Sequence, residues 1–314
     1  MRTDCHVTAA ASYLHDLAHL VELAGALGEA GDAARFSARL AARRAEYHAA
    51  FWNPALGLYG GGTQVAQAVA LWTGVAAGAG VAGNVSAWLA GALGGPGGKL
   101  TFGFIGVRYA FEALALSGQI EAALRGLLQT GFPSYGYELY HPYEPMTTLW
   151  ETWDAPEHRQ WLDESSRNHH YQASINTFLR KHVAGLDMPP GASAWSAVTV
   201  RPFAALPLAG DLAAALPHAR ATVAAHRGVV EVSWARGPTG LALNVTLPSG
   251  AAGTVSVPKT FGAGTTVCEG GAVVWRAGAF VPGVAGVLTG VDDGPFVTLT
   301  VDSGAFEFST APGR

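Results

Sequence analysis

GLDMPPGASAWSAV, residues 185–198, is where the sequence changes its period. Its paired prolines and flanking glycines end a helix, because proline lacks the backbone N–H and glycine tolerates left-handed backbone. Upstream, apolar residues recur at spacings of three and four, which lines one face of a helix. Such segments run near 7–27, 32–51, 63–75, 85–93, 104–116, 120–128 and 174–184, with glycine-rich connectors between them. Gly28 ends the first of these, and Asp32 stands where it can cap the second. Downstream the pattern alternates: VVEVSW (229–234), LALNVTLP (241–248), GTVSVP (253–258) and FVTLTVD (296–302) are strand-like and punctuated by Gly and Pro. The sequence therefore reads as α then β. An array of paired helices spans 1–188, and an all-β antiparallel sandwich spans 189–314.

Composition narrows the function classes. In 314 residues, 49% are hydrophobic, enough for substantial cores, and the net charge of −4 contains no long run of either sign. That balance removes the basic footprint of a nucleic-acid binder or of a protein held on an anionic membrane. The segment 68–93 is weakly polar for a membrane-span length, but Gly78, Gly80 and Gly83 cluster inside it, so it reads as a turn between two buried helices. MRTDCHV carries an acid and a histidine where a secretory signal carries its apolar core, and a soluble protein of undetermined compartment is expected. Cys5 and Cys268 lie at opposite ends of the chain, too few for a disulfide framework or a cysteine-rich zinc site.

Residues 132–178 differ from the rest. Glu138, Glu144, Glu151 and Asp154 are interleaved there with Tyr135, Tyr137, Tyr140, Tyr143, Trp150 and Trp153. Aromatic faces pack on the C–H faces of pyranose rings while carboxylates and histidines bond the hydroxyls, so this mixture suits a saccharide. A carboxylate beside an indole is partly desolvated, which raises its pKa toward general acid or base work near neutrality. Core packing for the aromatics and a solvated loop for the acids account for the same residue types equally well.

The run PYEPMTTLWETWD (142–154), followed by SSRNHH (165–170), resembles the hallmark of the α-L-rhamnosidases, family 78 of the glycoside hydrolases. That hallmark is a T-T-L/I-W-E-x-W-D core with S-x-N-H downstream. The likeness extends to 33–71, similar to the family's helix pair ending in a G-x-Y…x-Q-x-A segment, and to GGKLTFGFIGVRYAFEAL (97–114), similar to its L-T-x-G-F-x-G segment. VTVRP, GVVEVSW and VTLPSGAAGTVSVP resemble the β-sandwich that closes these enzymes.

The resemblance implies a partial (α/α)6-type helical barrel followed by the sandwich, and removal of terminal L-rhamnose with inversion. It maps the general base onto Glu151 and a sugar-contacting histidine onto His169, preceded by Asn168. Trp150 and Trp153 flank the base, with one behind it and the other toward the sugar, or with purely structural roles for both, as the two open readings. Tyr135 stands where the family usually has tryptophan, and Glu144 is read as a hydrogen-bond partner of the site. His169 and His170 lack carboxylate–histidine ligand spacing, so no metal and no cofactor are assigned. The expected partner is a rhamnose-containing glycoside or oligosaccharide; oligomeric state is left open. The family's acidic D-x-x-x-R-E/D segment, which carries its general acid, has no counterpart, and Tyr171, Gln172 and Ala173 replace a Met-Phe-Gly run. The chain is accordingly read as a C-terminal part of such an enzyme. A non-catalytic carbohydrate-binding remnant and an (α/α)-barrel glycosidase of other sugar specificity are the competing readings.

Overall fold

A computed structural model describes residues 3–156 and 165–313. They form two compact units that meet between Ile175 and Asn176.

The first unit is helical. Its elements are α1 (Cys5–Ala26), α2 (Ala30–Phe51), α3 (Gln64–Trp72), α4 (Val75–Gly78), α5 (Ala82–Gly94), α6 (Phe104–Leu116), α7 (Ile120–Leu128) and α8 (Tyr135–Leu139). Asp4 caps α1 by accepting the His6 N–H, and Val7, Ala11, Leu14 and Leu17 form the buried stripe that packs along α2. The start of α2 departs from expectation: Glu29 occupies the cap without a side-chain bond, while Asp32 lies in the first turn and pairs with Arg35 at 3.0 Å. There its charge still complements the helix N-terminus.

At the centre lies α3, with Val65 to Ala70 all buried and packed against α1, α5 and α6. A helix enclosed on all sides must satisfy its polar groups internally. The buried Gln67 does so with Tyr59, accepting its backbone N–H at 2.8 Å and donating to its carbonyl at 2.9 Å. Gln64 likewise donates to the Lys99 carbonyl at 2.7 Å and accepts the Thr101 N–H at 2.9 Å. The glutamines of the 33–71 segment thus tie α3 to the loops at its edge. The glycine cluster in 68–93 does turn the chain, between α4 and α5, and no helix among the described residues is long and apolar enough to cross a membrane. Segment 174–184, expected as one helix, is instead a 3-10 turn (His170–Ser174), one α-turn (Ile175–Phe178) and a π-turn (Leu179–Ala184) ending at Gly185 with φ +92°.

The second unit contains two sheets. Across the larger, the strands are Ala279–Phe280, Ala272–Arg276, Thr265–Glu269, Gly304–Pro312, Gly240–Leu247, Gly228–Gly237 and His218–Ala225, all antiparallel. The smaller runs Val287–Asp293, Phe296–Val301, Ala252–Pro258, Ala197–Val200 and Leu186–Asp187. Its 197–200 strand pairs parallel with 252–258, and its other pairs are antiparallel. Alternation sets the core: Val230, Val232 and Trp234 are buried on one strand, and Leu241, Leu243 and Val245 on the next. The buried Trp234 indole N–H is satisfied by the Val183 carbonyl at 2.8 Å.

Candidate active site

The TTLWE segment is held by a second length of backbone. Residues 148–151 run antiparallel to 165–169: the Glu151 N–H donates to the Ser166 carbonyl at 2.9 Å and the His169 N–H to the Leu149 carbonyl at 2.8 Å. Thr148 Oγ1 donates to the Arg167 carbonyl, and the Thr152 and Ser165 hydroxyls meet at 3.0 Å. This pairing brings Glu151, Asn168 and His169 together although fifteen or more residues separate them in sequence. The half-buried Glu151 side chain adds a bond of its own. Its Oε2 accepts the Ser166 backbone N–H at 2.9 Å, and Oε1 has no hydrogen-bond partner among the described residues. A carboxylate with one oxygen fixed and the other free is oriented yet still able to take a proton from a bound water.

The aromatic residues form the wall behind this segment. Trp150 is 2% exposed, Trp153 7% and Tyr135 5%. The Trp153 indole N–H donates to the Phe102 carbonyl at 2.5 Å, and its ring meets Tyr135 edge-on at 5.1 Å between centroids. The Tyr135 hydroxyl donates to the Gln172 carbonyl at 3.0 Å, and burial raises its pKa well above the ordinary tyrosine value. His141 lies edge-on to Trp150 at 5.8 Å. Both tryptophans are buried, which accords with the structural reading of the pair.

The polar rim contains the remaining predicted residues. Glu144 Oε1 accepts from Arg167 Nε at 2.7 Å, both side chains being about one-third exposed, and the guanidinium lies 5.9 Å from the centre of the Trp150 ring. His169 stacks with Tyr171 at 5.6 Å and meets the tilted Phe104 ring at 4.8 Å; its Nδ1 is enclosed without a partner among the described residues. Asn168 is exposed beside it, its backbone N–H donating to Ser166 Oγ.

Glu138 was counted among the acids of this stretch but given no role from sequence. On α8 it follows Tyr135 by three residues, one helical turn, and shares its buried face. Ser134 caps that helix by accepting the Tyr137 N–H at 2.9 Å. Gly136 lets the helix approach the preceding loop, because a Cβ there would lie 2.5 Å from the Gln129 carbonyl oxygen. The Glu138 carboxyl is completely buried, and burial pushes its pKa up to about 8 against a small opposing effect of the Trp150 backbone N–H. The upward shift expected for a carboxyl walled by indoles is thus found at this residue. The alternation of small and aromatic residues in PSYGYEL was the available signal for its burial.

Asp4, Cys5 and His6 bring possible ligand atoms within 4.8 Å of one another, but all three are exposed neighbours in sequence and the Asp4–His6 pair is already hydrogen-bonded at 2.8 Å. A groove of about 410 Å³ lies between α2 and α4, lined by Arg44, His48, Gly74 and small apolar residues. Neither coincides with the Glu151 segment.

Residues 1–183 match the bacterial alpha-L-rhamnosidase 6 hairpin glycosidase domain. The chain belongs to this bacterial α-L-rhamnosidase family. Residues 185–271 match the α-L-rhamnosidase C-terminal domain. An α-L-rhamnosidase of Streptomyces avermitilis is 29% identical over 162 residues, 51% of this chain and 14% of the relative. Among solved α-L-rhamnosidases, that of Dictyoglumus thermophilum superposes with a TM-score of 0.75 at 21% identity, over 95% of this chain and 31% of its own. The S. avermitilis enzyme complexed with L-rhamnose gives 0.75 at 23%, over 96% and 26% respectively. The enzyme of Aspergillus terreus gives 0.73 at 21%, over 95% and 30%. The fold is shared along almost the whole chain, which spans less than a third of each of these relatives.

Proposed function

We propose that this chain carries the base side of an inverting α-L-rhamnosidase site, with Glu151 as the residue that deprotonates the attacking water. The supporting observation is the carboxylate itself, anchored through Oε2 to the Ser166 N–H, with no partner at Oε1 among the described residues. His169 and Asn168, brought alongside by the paired backbone, are assigned to the hydroxyls of a terminal L-rhamnosyl unit. A relative crystallised with L-rhamnose supports that choice of sugar. Glu144 acts through Arg167, holding the guanidinium at the rim. Tyr135, Trp150 and Trp153 are assigned to the wall behind the base rather than to the surface that meets the sugar.

Inversion also requires a carboxylic acid opposed to the base, to protonate the leaving oxygen. Glu138 is enclosed and Glu144 is engaged by Arg167, so neither is given that task. We propose the domain division read from the sequence, 1–188 and 189–314, for the helical and sheet portions.

An aryl α-L-rhamnoside of an acidic phenol, whose phenolate leaves without a proton from an acid, tests the reading, with the product anomer followed by NMR. The β-anomer should form first, and Glu151→Gln should lower turnover by ~10² to 10⁴. Release of the α-anomer first, or full turnover by the variant, contradicts the assignment. Binding of L-rhamnose without turnover in either protein would favour the non-catalytic reading.

A further inference from the structure

Glu138 has none of the roles assigned above, and its environment is unusual for a carboxyl. Buried side-chain oxygens normally have a hydrogen-bond partner. Both oxygens of Glu138 are enclosed without one among the described residues. Leucine or methionine in the same place would avoid the desolvation cost of an acid.

The position links α8 to the segment that ends at Glu151, and it does so at two points. The Glu138 carbonyl accepts the Met146 N–H at 2.8 Å, at the start of that segment. Its carboxyl faces the backbone N–H of Trp150, at the far end, without completing a hydrogen bond to it. That N–H lies on the Leu149–Trp150 peptide, and Trp150 directly precedes Glu151, so a movement of this peptide is passed on to the proposed base.

We propose that Glu138 is a positioning residue for Glu151, setting the Leu149–Trp150 peptide as an uncharged carboxylic acid and displacing it on ionisation. While neutral, the carboxyl attracts the Trp150 N–H weakly, and the peptide stays where the His169 N–H, bonded to its Leu149 carbonyl at 2.8 Å, puts it. Once ionised, the carboxylate draws that N–H toward itself, because a charged acceptor bonds roughly twice as strongly as a neutral one. It also sets a second negative charge behind the base. Burial pushes the ionisation to about pH 8, so the neutral form prevails at and below neutrality.

Other ionisable groups lie on the elements around it. Tyr135 shares its helix; Glu121 and Arg125 lie on α7, packed against α8; His141 and Glu144 follow in the next turn; Arg167 lies opposite Trp150. No hydrogen bond or ion pair joins any of them to the Glu138 carboxyl among the described residues. Its titration is therefore governed by burial and the Trp150 amide.

The functional part of the inference rests on the reading of Glu151 as base, while the structural part does not. The test uses the whole 314-residue chain labelled with ¹⁵N-tryptophan, its Trp150 amide assigned through Trp150→Phe. Between pH 5.5 and 9.5, the amide shift should move with a midpoint near the Glu138 pKa of about 8. It should stay still in Glu138→Gln and in Glu138→Met, the second variant covering any folding defect of the first. L-rhamnose affinity, measured by calorimetry, should weaken by about an order of magnitude from pH 7 to 9 in the natural chain and stay flat in the variants. A Trp150 amide indifferent to pH, or one that titrates identically in both variants, overturns the proposal. A Glu138-dependent amide shift with no L-rhamnose binding at any pH supports the positioning role and refutes the rhamnose reading instead.

Discussion

Replacing Glu138 by Gln should change how the stability of the helical unit depends on pH. The folded chain holds the Glu138 proton up to about pH 8, whereas an unfolded glutamate releases it near 4.5. Between those values the folded state binds more protons than the unfolded one, so stability falls as pH rises, by about 1.4 kcal/mol per pH unit. The effect is absent below the unfolded pKa and complete above the folded one. Over the whole window it amounts to about 5 kcal/mol, comparable to the ~5–15 kcal/mol by which a domain is stable. Because the carboxyl is completely buried, solvent screening takes little from that figure. Urea unfolding followed by tryptophan fluorescence at a series of pH values reads it directly, with Trp150 and Trp153 as reporters of this unit. Relative to the natural chain, Glu138→Gln should gain about 4 kcal/mol between pH 5 and pH 8. Parallel stability curves for the two proteins would refute the reasoning, since they would mean the carboxyl is ionised and solvated in the folded state.

Three further outcomes follow from the geometry. Trp153→Phe removes the indole donor and leaves the Phe102 carbonyl unpaired in the interior, which should cost about 1–3 kcal/mol in the same unfolding measurement. Arg167→Ala breaks an ion pair whose members are each about one-third exposed, so stability should change by less than ~1 kcal/mol while L-rhamnose affinity falls. Gly185→Ala forces a side chain into backbone at φ +92°, with its Cβ 2.6 Å from Pro202 Cα; a loss of about 2–4 kcal/mol is expected on thermal unfolding.

The fold was legible because period alone separates the two halves. Helices 104–116 and 120–128 fall where the apolar spacing places them, and the strands alternate as VVEVSW and LALNVTLP do. At the start of the second helix the predicted residue serves the helix in a different way. Asp32 was read as a cap, but the helix begins two residues earlier and Asp32 serves its first turn instead. The break of 170–184 into three kinds of turn follows from tertiary packing, which spacing does not record. In the candidate site, Glu151 and His169 were visible through their motif, whereas their juxtaposition depends on backbone pairing between 148–151 and 165–169. That pairing involves N–H and C=O groups common to all residues and leaves no trace in side-chain identity. The burial of Trp150 and Trp153 was hidden for a related reason: an indole suits a sugar face and a protein core equally. Glu138 was the least legible, because a lone glutamate between aromatics reads as a surface acid until the fold closes over it.

The first-formed anomer and the rate of L-rhamnose release from the aryl α-L-rhamnoside of an acidic phenol, compared between the natural chain and Glu151→Gln, bear most directly on Glu151 as base. The natural chain should release β-L-rhamnose first, and the variant should be slower by ~10² to 10⁴. Retention of configuration, or a variant as fast as the natural chain, would contradict it.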